Sequence, residues 1–220
     1  KPSSVFPWGS DLVGRDIQSL VLNGASQTIT LAFIATLARI FLGTFLGIIS
    51  GWWPRSWIDK FIQSISSVWS AFPETIFTLL IILALGIQKG RSVFIIALCV
   101  VGWGEITQYI RAQVMSQKPL LHIEAARSMG LRANQILIRH ILPFLTPSIL
   151  VLFVLQMGGI LMILAELGFL NIFLGGGYKA QIAESANMVP GIFYFLDIPE
   201  RGALLANIRD WWRSYSWLAW

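Results

Sequence analysis

The sequence predicts an all-α polytopic membrane protein, and three observations carry that prediction. Hydrophobic residues make up 55% of the chain and charged residues only 12%, against about 25% charged in an ordinary soluble domain. Mean hydropathy is +0.69. Several apolar runs approach the ~20 residues that cross a bilayer. A soluble fold cannot hide that much apolar surface. The net charge of +5 does not point to nucleic acid, because the cations are scattered through hydrophobic sequence and do not form one basic face. They read as topology signals. Cys99 is the only cysteine, so no internal disulfide forms and the redox compartment is not defined by it.

The first residues, "KPSSVFPWGSDLVGRD", lack the basic start, apolar core and small-residue cleavage site of a signal peptide. Residues 1–26 are expected to form an extracytoplasmic segment. About four spans follow, at roughly Thr28 to Ile49, Ile65 to Ile87, Val93 to Ile110 and Ile136 to Ala165, which makes 27–165 the transmembrane core. Orientation comes from the basic residues of the short loops. Arg55, Lys60, Arg111, Lys118, Arg127, Arg132 and Arg139 gather on one side, and only Lys89 and Arg91 on the other. The side with seven is read as cytoplasmic. Residues 166–220 then form an extracytoplasmic loop and interfacial segment, ending in "DWWRSYSWLAW", whose Trp and Tyr rings suit the membrane interface.

Within the first span Gly43, Gly47 and Gly51 recur every four residues on one helix face, where they let another backbone approach closely. That neighbour is either another helix of this chain or a partner subunit. Arg39, Glu74 and Glu105 are intramembrane polar candidates, because a charge at the bilayer centre costs at least ~2.5 kcal/mol. Arg39 is expected to face Glu74 or Glu105; the alternative keeps each head group near an interface in water. Pro73, Pro143 and Pro147 free backbone carbonyls and kink helices, either lining a solute path or simply shaping the bundle. Gln156, with Gly158 and Gly159, carries the same two readings.

The stretch "IEAARSMGLRANQILIRHILP" is a charged interruption between apolar runs. Pro119 suits a first helical turn, Glu124 and Arg127 stand three apart, and Gly130 fits the position after a helix, where φ is positive. A short cytoplasmic helix, a turn and a second helix from Arg132 into the membrane are predicted. Such an element docks into a groove on a soluble partner or serves as an ordinary amphipathic connector.

Glu124-Ala125-Ala126, then Arg127, Gly130 and Leu142-Pro143, resemble the "EAA" loop of the permease subunits of binding-protein-dependent ABC importers, here at about 116–143. "RHILP" is similar to the form found in the dipeptide, oligopeptide and nickel branch. A second segment, Gly9-Ser10-Asp11 with Gly14-Arg15-Asp16, resembles that branch's "GTDxxGRD" motif, which lies outside the membrane after the family's first span. The resemblance covers about 7 to 175 and resumes near 199 to 219, while "GGGYKAQIAESANMVPGIFYFLD" departs from the pattern.

The resemblance implies a permease-type helical bundle of six spans, of which about four are visible, so the chain is expected to be truncated at both ends. It implies a second permease subunit, two ABC ATPase subunits docked on the EAA helix, an extracytoplasmic solute-binding protein, and a lipid environment in a bacterial or archaeal plasma (inner) membrane, with no nucleic acid. It also implies peptides, or a related small solute such as nickel, as cargo. No cofactor is expected in this chain, and ATP and Mg are expected in the ATPase subunits. No Gly-x-x-x-x-Gly-Lys-Ser/Thr motif occurs, so "GGGYK" is read as an outer turn and not a phosphate loop. HExxH and GxSxG are also missing, and His122 and His140, the only histidines, have Glu124 alone as a nearby carboxylate, too few ligands in sequence for a metal site. The chain is therefore expected not to be an enzyme. The alternative function is an ATP-independent secondary transporter or channel, favoured by the charges within the spans.

Overall fold

A computed structural model describes residues 7–10, 16–86, 90–170, 172, 178–182 and 191–195. The described chain is helical, with one added hairpin. Helix α1 runs over Ile17–Trp52, α2 over Trp57–Ser70, α3 over Glu74–Leu85, α4 over Arg91–Val101 and α5 over Trp103–Gln117. Then come α6 (Leu121–Ser128), α7 (Ala133–Ile136), a π-helical turn (Leu137–Ile141) and α8 (Leu142–Phe169). Strands β1 (Tyr178–Ile182) and β2 (Gly191–Phe195) pair antiparallel, with Tyr178 opposite Phe195. Helical periodicity did not anticipate this hairpin within 166–220, and it places Tyr178 and Lys179 of "GGGYK" in a strand. "DWWRSYSWLAW" lies outside the described residues.

Among the described residues, three helical stretches are long and apolar enough to cross a membrane: Ile17–Trp52, Arg91–Gln117 and Ala133–Phe169. All three exceed the expected spans. The expected span from Ile65 to Ile87, with its kink at Pro73, is two helices, α2 and α3, bent by 94°. Pro73 explains the break. It has no N–H to continue the ladder of α2, and its carbonyl starts α3 by accepting from Phe77 N–H at 3.0 Å.

Local chemistry sets the other boundaries. Asp16 caps α1, its carboxylate accepting from Gln18 N–H (3.2 Å) and Ser19 N–H (3.0 Å). Pro54 forces Trp53 out of helical geometry and ends α1 at Trp52. Ser56 caps α2 by accepting from Asp59 N–H. The π turn precedes Pro143, whose ring would collide with the carbonyl of Arg139 in a regular α-helix; the wider turn makes room.

The described residues belong to two compact units. One comprises Phe33–Thr78 and Ile96–Ile160; the other draws on Lys1–Ala32, Leu79–Ile95 and Leu161–Trp220. Inside the first, α1 packs on α5 through the glycine stripe. A Cβ on Gly43 would lie 2.7 Å from Ile106, one on Gly47 2.7 Å from Ile110, and one on Gly51 2.8 Å from Val114. Both sequences ascend together along the contact, so α1 and α5 run parallel. Their ends therefore lie on the same side, and α2 with α3 must carry the chain back across between them. The stripe faces α5 of the same chain, the first of its two expected neighbours.

Candidate functional site

Helix α6 has two different faces. Ile123 and Ala126 are buried in a core with Trp52, Ile110, Val114, Ile136 and Leu145, which ties α6 to the ends of α1, α5 and α8. The opposite face carries Leu121 and Met129, 83% and 75% exposed, with Glu124, Ala125 and Ser128 also in the open. Leu121 and Met129 thus form an exposed apolar pair at the two ends of a charged helix that lies outside the three membrane-length stretches.

Gly130 closes α6. Its φ is +81°, Leu131 N–H reaches the Ala126 carbonyl at 3.2 Å, and Gly130 N–H reaches the Arg127 carbonyl at 3.0 Å. This is the Schellman arrangement, and it turns the chain sharply toward α7. A Cβ at Gly130 would meet nothing within 4 Å, so glycine is required here by backbone conformation and not by space. Gln135 Oε1 accepts from Arg132 N–H at 2.9 Å and opens α7. Leu142 and Pro143 follow the π turn at the exposed start of α8.

Trp52 joins α6 to the spans from beneath. Lys118 Nζ donates to the Trp52 carbonyl at 2.7 Å and stands 5.3 Å from its ring centroid, while the Arg127 guanidinium lies 5.9 Å from the same ring. Burial, and then the like charge of Arg127, holds Lys118 below its ordinary pKa. Next to this contact Asp59 is fully engaged. Arg111 clamps it through Nε (2.7 Å) and Nη2 (2.9 Å), Arg55 donates its backbone N–H at 2.8 Å, and Ser50 donates its hydroxyl. Arg55 adopts a φ of +64° to make that contact.

The second constellation lies inside the spans. Arg39 is about 20 Å along α1 from Trp52, by helix rise, and its side chain is 1% exposed. Nε donates to the Leu98 carbonyl at 2.5 Å, Nη1 donates to Gln156 Oε1 at 3.1 Å, and Nη1 approaches Glu74 Oε1 at 2.6 Å. The approach to Glu74 is an ion pair without hydrogen-bond alignment: Glu74 Oε1 has no directed donor, and Arg39 Nη2 has no hydrogen-bond partner among the described residues. Gly102, between α4 and α5, makes the site possible, because a Cβ there would occupy the volume of the guanidinium. Of the two expected acidic neighbours, Glu74 is brought to Arg39, whereas Glu105 faces outward and exposed.

Of the segment before α1, Gly9 has a φ of +86° and its carbonyl accepts from Ile17 N–H at 3.2 Å. With the Ser10 to Asp16 bridge this folds the segment back onto the start of α1. Asp11, Gly14 and Arg15 lie outside the described residues. Asp59, Ser50, Trp52, Lys118 and Gly102 were not anticipated. The available signal was a lone aspartate in an otherwise basic loop, "PRSWIDK".

Residues 43–207 match the family described as binding-protein-dependent transport system inner membrane component. Among curated relatives, a glutathione transport system permease protein, GsiD, of Pectobacterium atrosepticum is 32% identical over 171 residues, covering 78% of this chain and 56% of that protein. A dipeptide transport system permease protein, DppC, of Alkalihalophilus pseudofirmus is 30% identical over 216 residues, covering 98% of this chain and 64% of the relative. A GsiD of Escherichia coli is 33% identical over 171 residues, covering 78% and 55%. The chain thus spans between 55% and 64% of the length of these relatives.

Proposed function

The chain belongs to the family of binding-protein-dependent transport system inner membrane components, and from that premise we propose that it is a permease subunit of an ATP-driven importer for small peptides, working in a bacterial inner membrane. It is a multi-pass membrane protein, and its family is a membrane transport component and not an enzyme. The glutathione and dipeptide systems named for its relatives support peptides as the cargo. The observation that carries the mechanism is the two-faced helix α6, with Ile123 and Ala126 in the core of the spans and Leu121, Glu124 and Met129 exposed. In the proposed assembly the exposed face seats on one of two ATPase subunits, which hold ATP and Mg. A second permease subunit completes the solute path and an external binding protein delivers the solute.

Closure of the ATPase pair would displace α6, and its packed inner face would pass that displacement to the spans, because close-packed side chains transmit movement and do not absorb it. Glu124 supplies a polar contact and Gly130 the turn that fixes the docking angle. The test is purification of the full-length subunit from mild detergent, native and as a Glu124→Arg/Gly130→Val double variant, with ATPase activity assayed in the eluate. ATPase subunits are expected with the native protein and not with the variant. A stably inserted native protein that brings no ATPase overturns the proposal.

A further inference from the structure

The asymmetry around Arg39 goes beyond an ion pair. Its Nε occupies the carbonyl of Leu98, four residues before Gly102, where the helix of the third span is interrupted. Trp69 Nε1 does the same for Val100, whose carbonyl lies four residues before Gly104, at 2.6 Å. Side chains from α1 and α2 thus satisfy carbonyls around the break between α4 and α5, where lipid offers no water to do so. Gln156 Oε1 of α8 takes Nη1, so the guanidinium is anchored to two elements besides its own without Glu74.

Glu74 is bound differently. It is 38% exposed where Arg39 is 1% exposed, and its close oxygen lacks an aligned donor. It sits directly after Pro73 at the 94° bend, in the first turn of α3, whose free N–H groups stabilise a carboxylate by themselves. We infer that Arg39 is a fixed pivot that ties α1 to the third span at Leu98 and to α8 at Gln156, and that Glu74 is its detachable partner, released when the permease changes state. Arg39 moves with α1 and with α5, to which the glycine stripe locks α1, and α6 is packed on the same core. A displacement entering at α6 therefore reaches Arg39, while α3 can stay behind at its proline bend. Arg39 and Glu74 act as positioning residues that hold one state of the path. This inference rests on the importer reading.

The test uses the full-length subunit in its purified transporter and a hydrophobic carbodiimide, which modifies carboxylic acids. A carboxylate held on a guanidinium is shielded from the reagent, whereas one released from it is open to attack. Glu74 modification is quantified by mass spectrometry in the nucleotide-free state and after vanadate trapping, with exposed Glu105 as the reference. Labelling of Glu74 is expected to rise about tenfold or more on trapping while Glu105 changes little, as a population shift between paired and released forms requires. Equal labelling in both states, in a preparation that traps nucleotide and takes up peptide, overturns the latch and leaves the importer standing. A preparation that inserts but never traps nucleotide overturns the importer reading, and the latch with it. A second readout separates the pivot from a simple ion pair. Exchanging the charges as Arg39→Glu/Glu74→Arg restores a simple pair, but here it is expected to leave uptake abolished, because a glutamate cannot donate to Leu98. Restored uptake contradicts the pivot.

Discussion

Two arginine–carboxylate pairs stand in the same compact unit, and they are built in opposite ways. Arg111 and Asp59 meet through two aligned bonds at 2.7 and 2.9 Å, and the backbone of Arg55 and the hydroxyl of Ser50 take up the remaining acceptor capacity of Asp59. Arg39 and Glu74 meet through a single unaligned approach, with one guanidinium nitrogen unpartnered among the described residues and the glutamate partly open. A buried charge with every lone pair engaged is fixed, because any movement leaves a desolvated group behind. The Arg39–Glu74 pair has no aligned bond to break, and when it opens the guanidinium keeps its bonds to Leu98 and Gln156. The first pair thus belongs to the frame that holds α1, α2 and α5 together, and the second to the part of the molecule that changes state.

The same isosteric change at both carboxylates separates the two pairs. Asp59→Asn turns an amide N–H toward donors from Arg111, Arg55 and Ser50, and is expected to cost about 3–5 kcal/mol, seen as a large fall in the detergent melting temperature. A native-like melting temperature would remove Asp59 from the frame. Gly47→Leu tests the frame by another route. Its Cβ alone would lie 2.7 Å from Ile110 and 2.8 Å from the Thr107 carbonyl, so overpacking of about 1–3 kcal/mol or more is expected in the same melting assay.

Glu74→Gln should be milder in stability and severe in function. Its carbonyl oxygen can still face Arg39 while the amide turns to the exposed side, so a cost of about 1–2 kcal/mol is expected. ATPase activity should then continue while peptide uptake falls. Loss of folding as complete as in Asp59→Asn would erase the distinction between the two pairs. Gly130 gives the smallest effect on stability. Gly130→Val should strain the left-handed turn by about 1–2 kcal/mol, and Gly130→Asn by less, because asparagine tolerates that conformation. Uptake that follows the same order, with melting temperature nearly unchanged for asparagine, would tie the turn to docking.

The long apolar helices, the α6 turn at Gly130 and the buried charge of Arg39 were legible in the sequence because each follows a local rule: length of apolar run, a glycine where φ must be positive, a charge where lipid forbids one. The glycine stripe was legible as a contact surface, but its neighbour was not, since the spacing of Gly43, Gly47 and Gly51 carries no information about Ile106, Ile110 and Val114. The same limit hid the Asp59 clamp, whose members lie 52 positions apart at Asp59 and Arg111. Arg39 was visible as costly, while its bond to Leu98 depends on the space left by Gly102, which lies far from it in sequence. The bend at Pro73 was visible as a kink, but its 94° angle reflects how α2 and α3 are separately held, which no single residue encodes. The β1–β2 hairpin gave no signal strong enough to separate it from an irregular outer loop.

The source of energy for transport separates an ATP-driven importer from an ion-coupled carrier. Proteoliposomes containing the purified full-length subunit with its co-purifying partners would be loaded with ATP or left without it, and accumulation of labelled dipeptide followed with the external binding protein present. Uptake against a gradient only with internal ATP and the binding protein is the predicted result. Uptake driven by an ion gradient through the subunit alone, with ATP making no difference, would contradict it.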